Sequence, residues 1–204
     1  EGRSEPHILS EANTRRRERF RFHIAVSAGF SYSLVMRPPS MDLRTLQALW
    51  TLEQIAPAEL HGPATDLLAQ GFESPALIEL AGMFDPRSSY WQVAPVAERA
   101  FVEAGLPRIT REAALWRFAY WTAERIRSGE VTPLSGAGTL WSICNELDMP
   151  MALRYFVYLA ADYGEGPEDQ ATNEAWFDAR IRETAEELLA GMPPDGESPP
   201  PEAA

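Results

Sequence analysis

The chain contains no lysine; all 18 of its basic residues are arginine. That absence excludes a Schiff-base lysine, a lysine general base and the phosphate-reaching lysine of a P-loop. An arginine-only basic set also fits a GC-rich coding sequence. Cysteine is represented once, by Cys144, so no internal disulfide can form, and a reducing, cytoplasmic location is expected. Histidine is nearly as scarce: His7 and His23 lie near the start and His61 precedes a Gly-Pro turn. A zinc site therefore lacks ligands, and a serine triad built on His61 has no nucleophile elbow to serve. A Cys–His pair would have to join His61 to Cys144. Nowhere is there an uncharged apolar run long enough to span a bilayer. After residue 41 no segment alternates apolar and polar residues over strand length.

Charge is abundant but uneven. The net charge is −12, yet residues 1–40 carry seven arginines against four glutamates, for +3; the remainder holds 11 basic and 26 acidic residues, for −15. An acidic body disfavours nucleic acid and anionic membranes and mildly favours a basic protein partner. Residues 1–40 include "TRRRERFRFHIAVSAGFSYSLVM", an arginine-rich head with a serine-broken apolar tail. No clean signal-peptide core is present in it. We expect this basic extension to lie outside the fold, with Met36 and Met41 as candidate starts. Nucleic-acid binding enters only if the extension is a genuine basic arm.

From Met41 the punctuation is helical, and an all-α bundle of about eight helices is expected over residues 41–191. A first helix runs from Leu43 to about Ala56. "PAELHGPATDLLAQG" gives one or two short helices, and Ser74-Pro75 opens another that Gly82 stops. Residues 84–92 read as a loop before a helix from about 95 to 104. Thr110 caps a long helix to about Arg127, with Thr122 tolerable in its apolar stripe if the hydroxyl bonds back one turn. Further helices are expected from Thr132-Pro133, over "MALRYFVYLAADY" with Leu153, Phe156, Val157 and Ala160 inward, and over 169–190 with Phe177, Ile181, Ala185 and Leu188 inward. Residues 192–204, rich in proline and acid, are expected to be a disordered tail.

The stretch "SGEVTPLSGAGTLW" (128–141) resembles a phosphate loop superficially. Its spacing fits neither a P-loop nor a dinucleotide fingerprint. It reads as punctuation: Gly129 ends one helix, Thr132 caps the next, and Gly136 and Gly138 permit close helix–helix approach. "DYGEGPED" (162–169) likewise lacks the order of a calcium loop.

Two binding hypotheses remain. If the last four helices alternate in direction, Arg125, Arg127, Glu130, Asp162 and Glu165 gather at one pole as a mixed-charge partner or ligand site, with Glu146 and Asp148 at the other. Alternatively Trp116, Tyr120 and Trp121 line an apolar groove rather than the core. No catalytic residue, metal ligand or cofactor is assigned. The run "LLAQGFESPALIELAGM", followed later by "SGEVTPLSGAGTLW", resembles small all-helical hypothetical proteins of GC-rich bacteria over about residues 64–145. The resemblance implies a helical fold and carries no activity. The expected function is a non-enzymatic interaction module: an adaptor, a regulator or an immunity-type binder. A carboxylate-based enzyme or a small-ligand-binding helical protein is the alternative.

Overall fold

Short polar side chains at helix starts set the frame of this fold. Asp42 Oδ1 accepts from the Thr45 amide (2.7 Å), Ser74 Oγ from Leu77 (2.9 Å), Thr110 Oγ1 from Ala113 (3.1 Å) and Thr132 Oγ1 from Ser135 (3.3 Å). Each satisfies an amide that the first helical turn leaves without a partner. The computed structural model describes residues 41–85, 87–163 and 170–200. Among them are eight α-helices and no strand: α1 (Leu43–Thr51), α2 (His61–Ala69), α3 (Pro75–Ala81), α4 (Tyr90–Glu103), α5 (Arg111–Ser128), α6 (Pro133–Glu146), α7 (Met151–Asp162) and α8 (Gln170–Ala190), with a single 3-10 turn at Pro57–Glu59. The fold is all-α, as the helical punctuation predicts. The extension 1–40 and residues 201–204 lie outside the described residues.

Two boundaries differ from the sequence reading. The first helix stops at Thr51, because the chain turns through Glu53 in a left-handed conformation (φ 57). The fourth begins at Tyr90 instead of near 95, where Ser89 and Gln92 form a capping box, the Gln92 Oε1 accepting from the Ser89 amide (2.9 Å). Pro95 consequently lies inside α4. It removes the bond that the carbonyl of Trp91 would otherwise accept, and Trp91 sits in the exposed first turn.

α5 is the hub. It packs on α1, α6 and α8, while α6, α7 and α8 pack on one another, and α3 links α2 to α4. Residues of α1–α4 and the segments between them build one apolar cluster around Leu46, Leu60, Leu67, Leu77, Leu80 and Val93, which Trp121 of α5 joins. The second half buries Tyr120, Ile126, Leu140, Leu153, Phe156 and Ile181 almost completely. Fully burying each such side chain contributes about 1.5–3 kcal/mol. In α5, the Thr122 hydroxyl does donate to the Phe118 carbonyl (2.8 Å), which reconciles a polar residue with its buried stripe.

The glycine stretch is punctuation in the structure. Gly129 takes φ +78 and closes α5, with the Glu130 amide reaching back to the Arg125 carbonyl (3.0 Å). At Gly136 the α5–α6 approach is so close that a Cβ would stand 2.5 Å from Ile126 Cδ1. After α8, residues 192–200 are non-helical, as their composition demands. They are nevertheless held against α1 and α5: the Tyr120 hydroxyl donates to the Ser198 carbonyl (2.9 Å), and Arg44 pairs with Glu197. Composition gives the non-helical character of this stretch but not these contacts, which supply buried Tyr120 with an acceptor.

Candidate functional site

α7 is amphipathic with aromatic residues on both faces. Leu153, Phe156, Leu159 and Ala160 are buried. Met151, Tyr155 and Tyr158, spaced at i, i+4 and i+7, share the opposite face and are 74%, 38% and 61% exposed. α8 extends that face. The Arg180 guanidinium lies 5.1 Å from the centre of the Tyr155 ring, its Nε donates to the Tyr155 hydroxyl (3.2 Å), and a second nitrogen pairs with Glu183. Trp176 stands one turn before Arg180 on the same side of α8 and is 56% exposed. It is steadied by an edge-on contact with Phe177 (5.0 Å), which points into the core. Four large side chains thus remain in solvent on two packed helices, oriented by a cation–π contact and a buried ring. Met, Tyr, Trp and Arg are the types enriched in interface centres, because they bury much area at little entropic cost.

The mixed-charge pole forms in part. Arg125 Nε and Glu130 Oε2 approach to 3.5 Å with both side chains largely buried, and the Arg125 guanidinium stacks over Trp121 at 4.5 Å. Arg127 and Asp162 are exposed, and Glu165 lies outside the described residues. What comes together here is a packed ion pair at the end of α5. Trp116, Tyr120 and Trp121 are 2%, 1% and 8% exposed, so they sit in the core and do not line an open groove. Trp121 Nε1 is buried without an acceptor among the described residues. At the opposite end, Glu146 pairs with Arg111 (2.5 Å). Asp148 adopts a left-handed turn conformation (φ 59).

The residues of nucleophilic chemistry are engaged elsewhere. His61 Nδ1 bonds the Ala58 carbonyl (2.8 Å), and its ring meets Phe84 edge-on. Cys144 is fully buried with its sulfur 3.6 Å from Met149 Sδ, and burial pushes its thiol above the ordinary range. We predict that Cys144 resists iodoacetamide at neutral pH in the native protein and reacts fully in denaturant, as read by mass spectrometry; rapid native alkylation would contradict its placement. Among the described residues, no group of three His, Cys, Asp or Glu side chains could hold a metal ion.

Two tyrosines give the bundle an alkaline limit. Burial, then the hydrogen bond from the Tyr163 hydroxyl to Asp178 (3.0 Å), pushes Tyr163 from the ordinary phenol value near 10 up to about 12. Tyr120 is pushed up as well, by burial and then by the charge of Asp195. A raised folded-state value means that the native state keeps its proton where the unfolded chain has lost it. The stability Tyr163 contributes is complete below pH 10 and is lost as pH rises toward about 12, while that of Tyr120 is lost only at still higher pH. The urea midpoint should therefore fall across that window, and fall less steeply in Tyr163→Phe; a wild-type midpoint independent of pH there would contradict the assignment.

The sequence reading missed Met151, Tyr155, Tyr158 and Trp176. Their signal was present in "MALRYFVYLAADY": large side chains at 151, 155 and 158 repeat at helical spacing on the side away from the inward stripe. Among the described residues no helix is long and apolar enough to cross a membrane. What fold and face together define is an all-helical bundle with an exposed aromatic surface. No protein-family model, curated protein or solved structure matches the chain.

Proposed function

We propose that this protein is a non-enzymatic interaction module that binds another protein through the outer face of α7 and α8. The observation that carries the reading is the solvent exposure of Met151, Tyr155, Tyr158 and Trp176 on two packed helices. Large apolar side chains left exposed on neighbouring helices are the kind of surface that marks a contact site. The partner is basic at its rim. Arg180 and Arg182 are engaged by Glu183 and Asp178, whereas Glu186 and Glu187 of α8 face solvent within a body of net charge −15. Such complementarity steers association, and the aromatic centre supplies affinity. We place the module in the cytoplasm, on its single buried thiol, and among small helical proteins of GC-rich bacteria, on the two helix-opening motifs.

The test uses the full chain as bait at low and high salt, beside Tyr158→Ala/Trp176→Ala. One stoichiometric partner that survives high salt and is lost with the double variant supports the reading. A partner retained equally by both baits overturns the assignment of the face.

A further inference from the structure

Residues 192–200 hold to the bundle by polar contacts. Gly196 alone among them is buried. Their shape is set locally. One oxygen of Asp195 accepts from the amides of Glu197 (3.0 Å) and Ser198 (3.3 Å), the other from the Ser198 hydroxyl (2.9 Å). The Gly196 amide donates to the Pro193 carbonyl (2.9 Å), and Gly196 takes φ +62, which suits glycine. The result is an Asx-type turn that needs no help from the helices.

That turn offers three groups to the bundle. The Glu197 carboxylate pairs with Arg44, the Gly196 backbone lies against the Arg117 guanidinium, and the Ser198 carbonyl accepts from Tyr120. The receiving groups are held from behind by other residues. Arg44 also donates to Gln47 Oε1 (2.9 Å) and the Pro107 carbonyl (3.0 Å), while Arg117 donates to Thr45 Oγ1 (3.1 Å) and pairs with Asp42. Two guanidiniums and a buried phenol are therefore preorganised on α1 and α5 toward a carboxylate and a carbonyl.

We propose that Arg44, Arg117 and Tyr120 form a recognition site for a carboxylate-bearing peptide turn. Residues 193–200 fill it in cis, and an acidic segment of a partner binds there by displacing them. The partner segment carries a glutamate or aspartate after a glycine, with the next carbonyl free to accept from Tyr120. Displacement is feasible because a loop held by polar contacts opens far more readily than the helices unfold. A tethered occupant competes at an effective concentration on the order of mM, so a free peptide meets strong competition in the native chain. The site lies on α1 and α5 and takes an acidic ligand, so it stands or falls apart from the α7–α8 face.

The experiment titrates a fluorescent peptide of residues 192–200 onto the full chain, its Glu197→Gln and Glu197→Arg variants, and Arg44→Ala/Glu197→Gln, following anisotropy. Circular dichroism checks that each variant keeps its helices. Removing the cis carboxylate should tighten peptide binding by about tenfold or more. Arg44→Ala should abolish that gain, high salt should weaken it, and a peptide with glutamine in place of its glutamate should not bind. Equal affinity for wild type and both Glu197 variants, binding that ignores the peptide's glutamate, or no binding to any folded variant would each overturn the proposal.

Discussion

Phe156→Ala is expected to lower the free energy of unfolding by about 3–5 kcal/mol, whereas Tyr158→Ala, two residues along the same helix, should stay within about 0.5 kcal/mol of wild type. The two rings differ in one respect that matters. Phe156 is fully buried where α7 meets its neighbours, so its removal loses transfer energy and leaves a cavity. Tyr158 is 61% exposed, and its truncation leaves no void. Urea unfolding with an unchanged slope reads the difference directly. The contrast also bears on function. Under the proposed function, the exposed Tyr158 ring serves what it contacts outside the chain. If Tyr158→Ala cost as much as Phe156→Ala, that ring would be structural and the face would lose its claim.

Gly136→Ala tests the close approach of α5 and α6. Helix propensity alone favours the alanine by about 1 kcal/mol. Against this, the new methyl would stand 2.5 Å from Ile126 Cδ1 and 3.4 Å from Val131 Cγ2. Ile126 is fully buried and β-branched, with few rotamers to retreat into. Overpacking of this kind costs about 1–3 kcal/mol, so the balance is a net destabilisation of about 0–2 kcal/mol. Ile126→Ala alone should cost about 2–5 kcal/mol. The double variant should cost less than the sum, with a coupling of about 0.5–3 kcal/mol, because each change removes the other's clash or fills its cavity. Strict additivity would show that the two helices do not meet at this pair.

These residues also show what a sequence can disclose. Gly129, Thr132 and Pro133 announce a helix end and a helix start through local backbone chemistry, and the structure uses each in that way. The back-bonding of Thr122 and the inward stripe of α8 follow equally from spacing. Pro95 misled because a proline more often opens a helix than sits a turn and a half inside one; here the Ser89–Gln92 capping box starts α4 earlier. Residues 192–200 are non-helical, as expected, but their contacts were not legible. Their acceptor role toward Tyr120 depends on a partner 78 positions away, which no local pattern encodes.

The candidate sites divide along the same line. Arg125 and Glu130 do come together, since a helix C-cap brings residues five apart into reach. Trp116, Tyr120 and Trp121 are drawn inward because α5 is surrounded, by α1, α6 and α8, on the sides that carry them. The outer face of α7 was legible in principle. It is the complement of the inward stripe, and its three large side chains fall at i, i+4 and i+7. What the sequence could not supply is its continuation onto α8, which depends on Arg180 meeting Tyr155 across the helix pair.

The α7–α8 face is proposed as the surface that binds the partner. The most direct measurement is the affinity of the captured partner for the full chain, for Tyr158→Ala/Trp176→Ala, and for Trp91→Ala as a control at another exposed tryptophan (83% exposed). Hot-spot aromatics contribute about 2 kcal/mol or more each, so the double variant should bind at least about 700-fold more weakly while Trp91→Ala binds as wild type does. An unchanged affinity in the double variant, with its stability intact, would contradict the account.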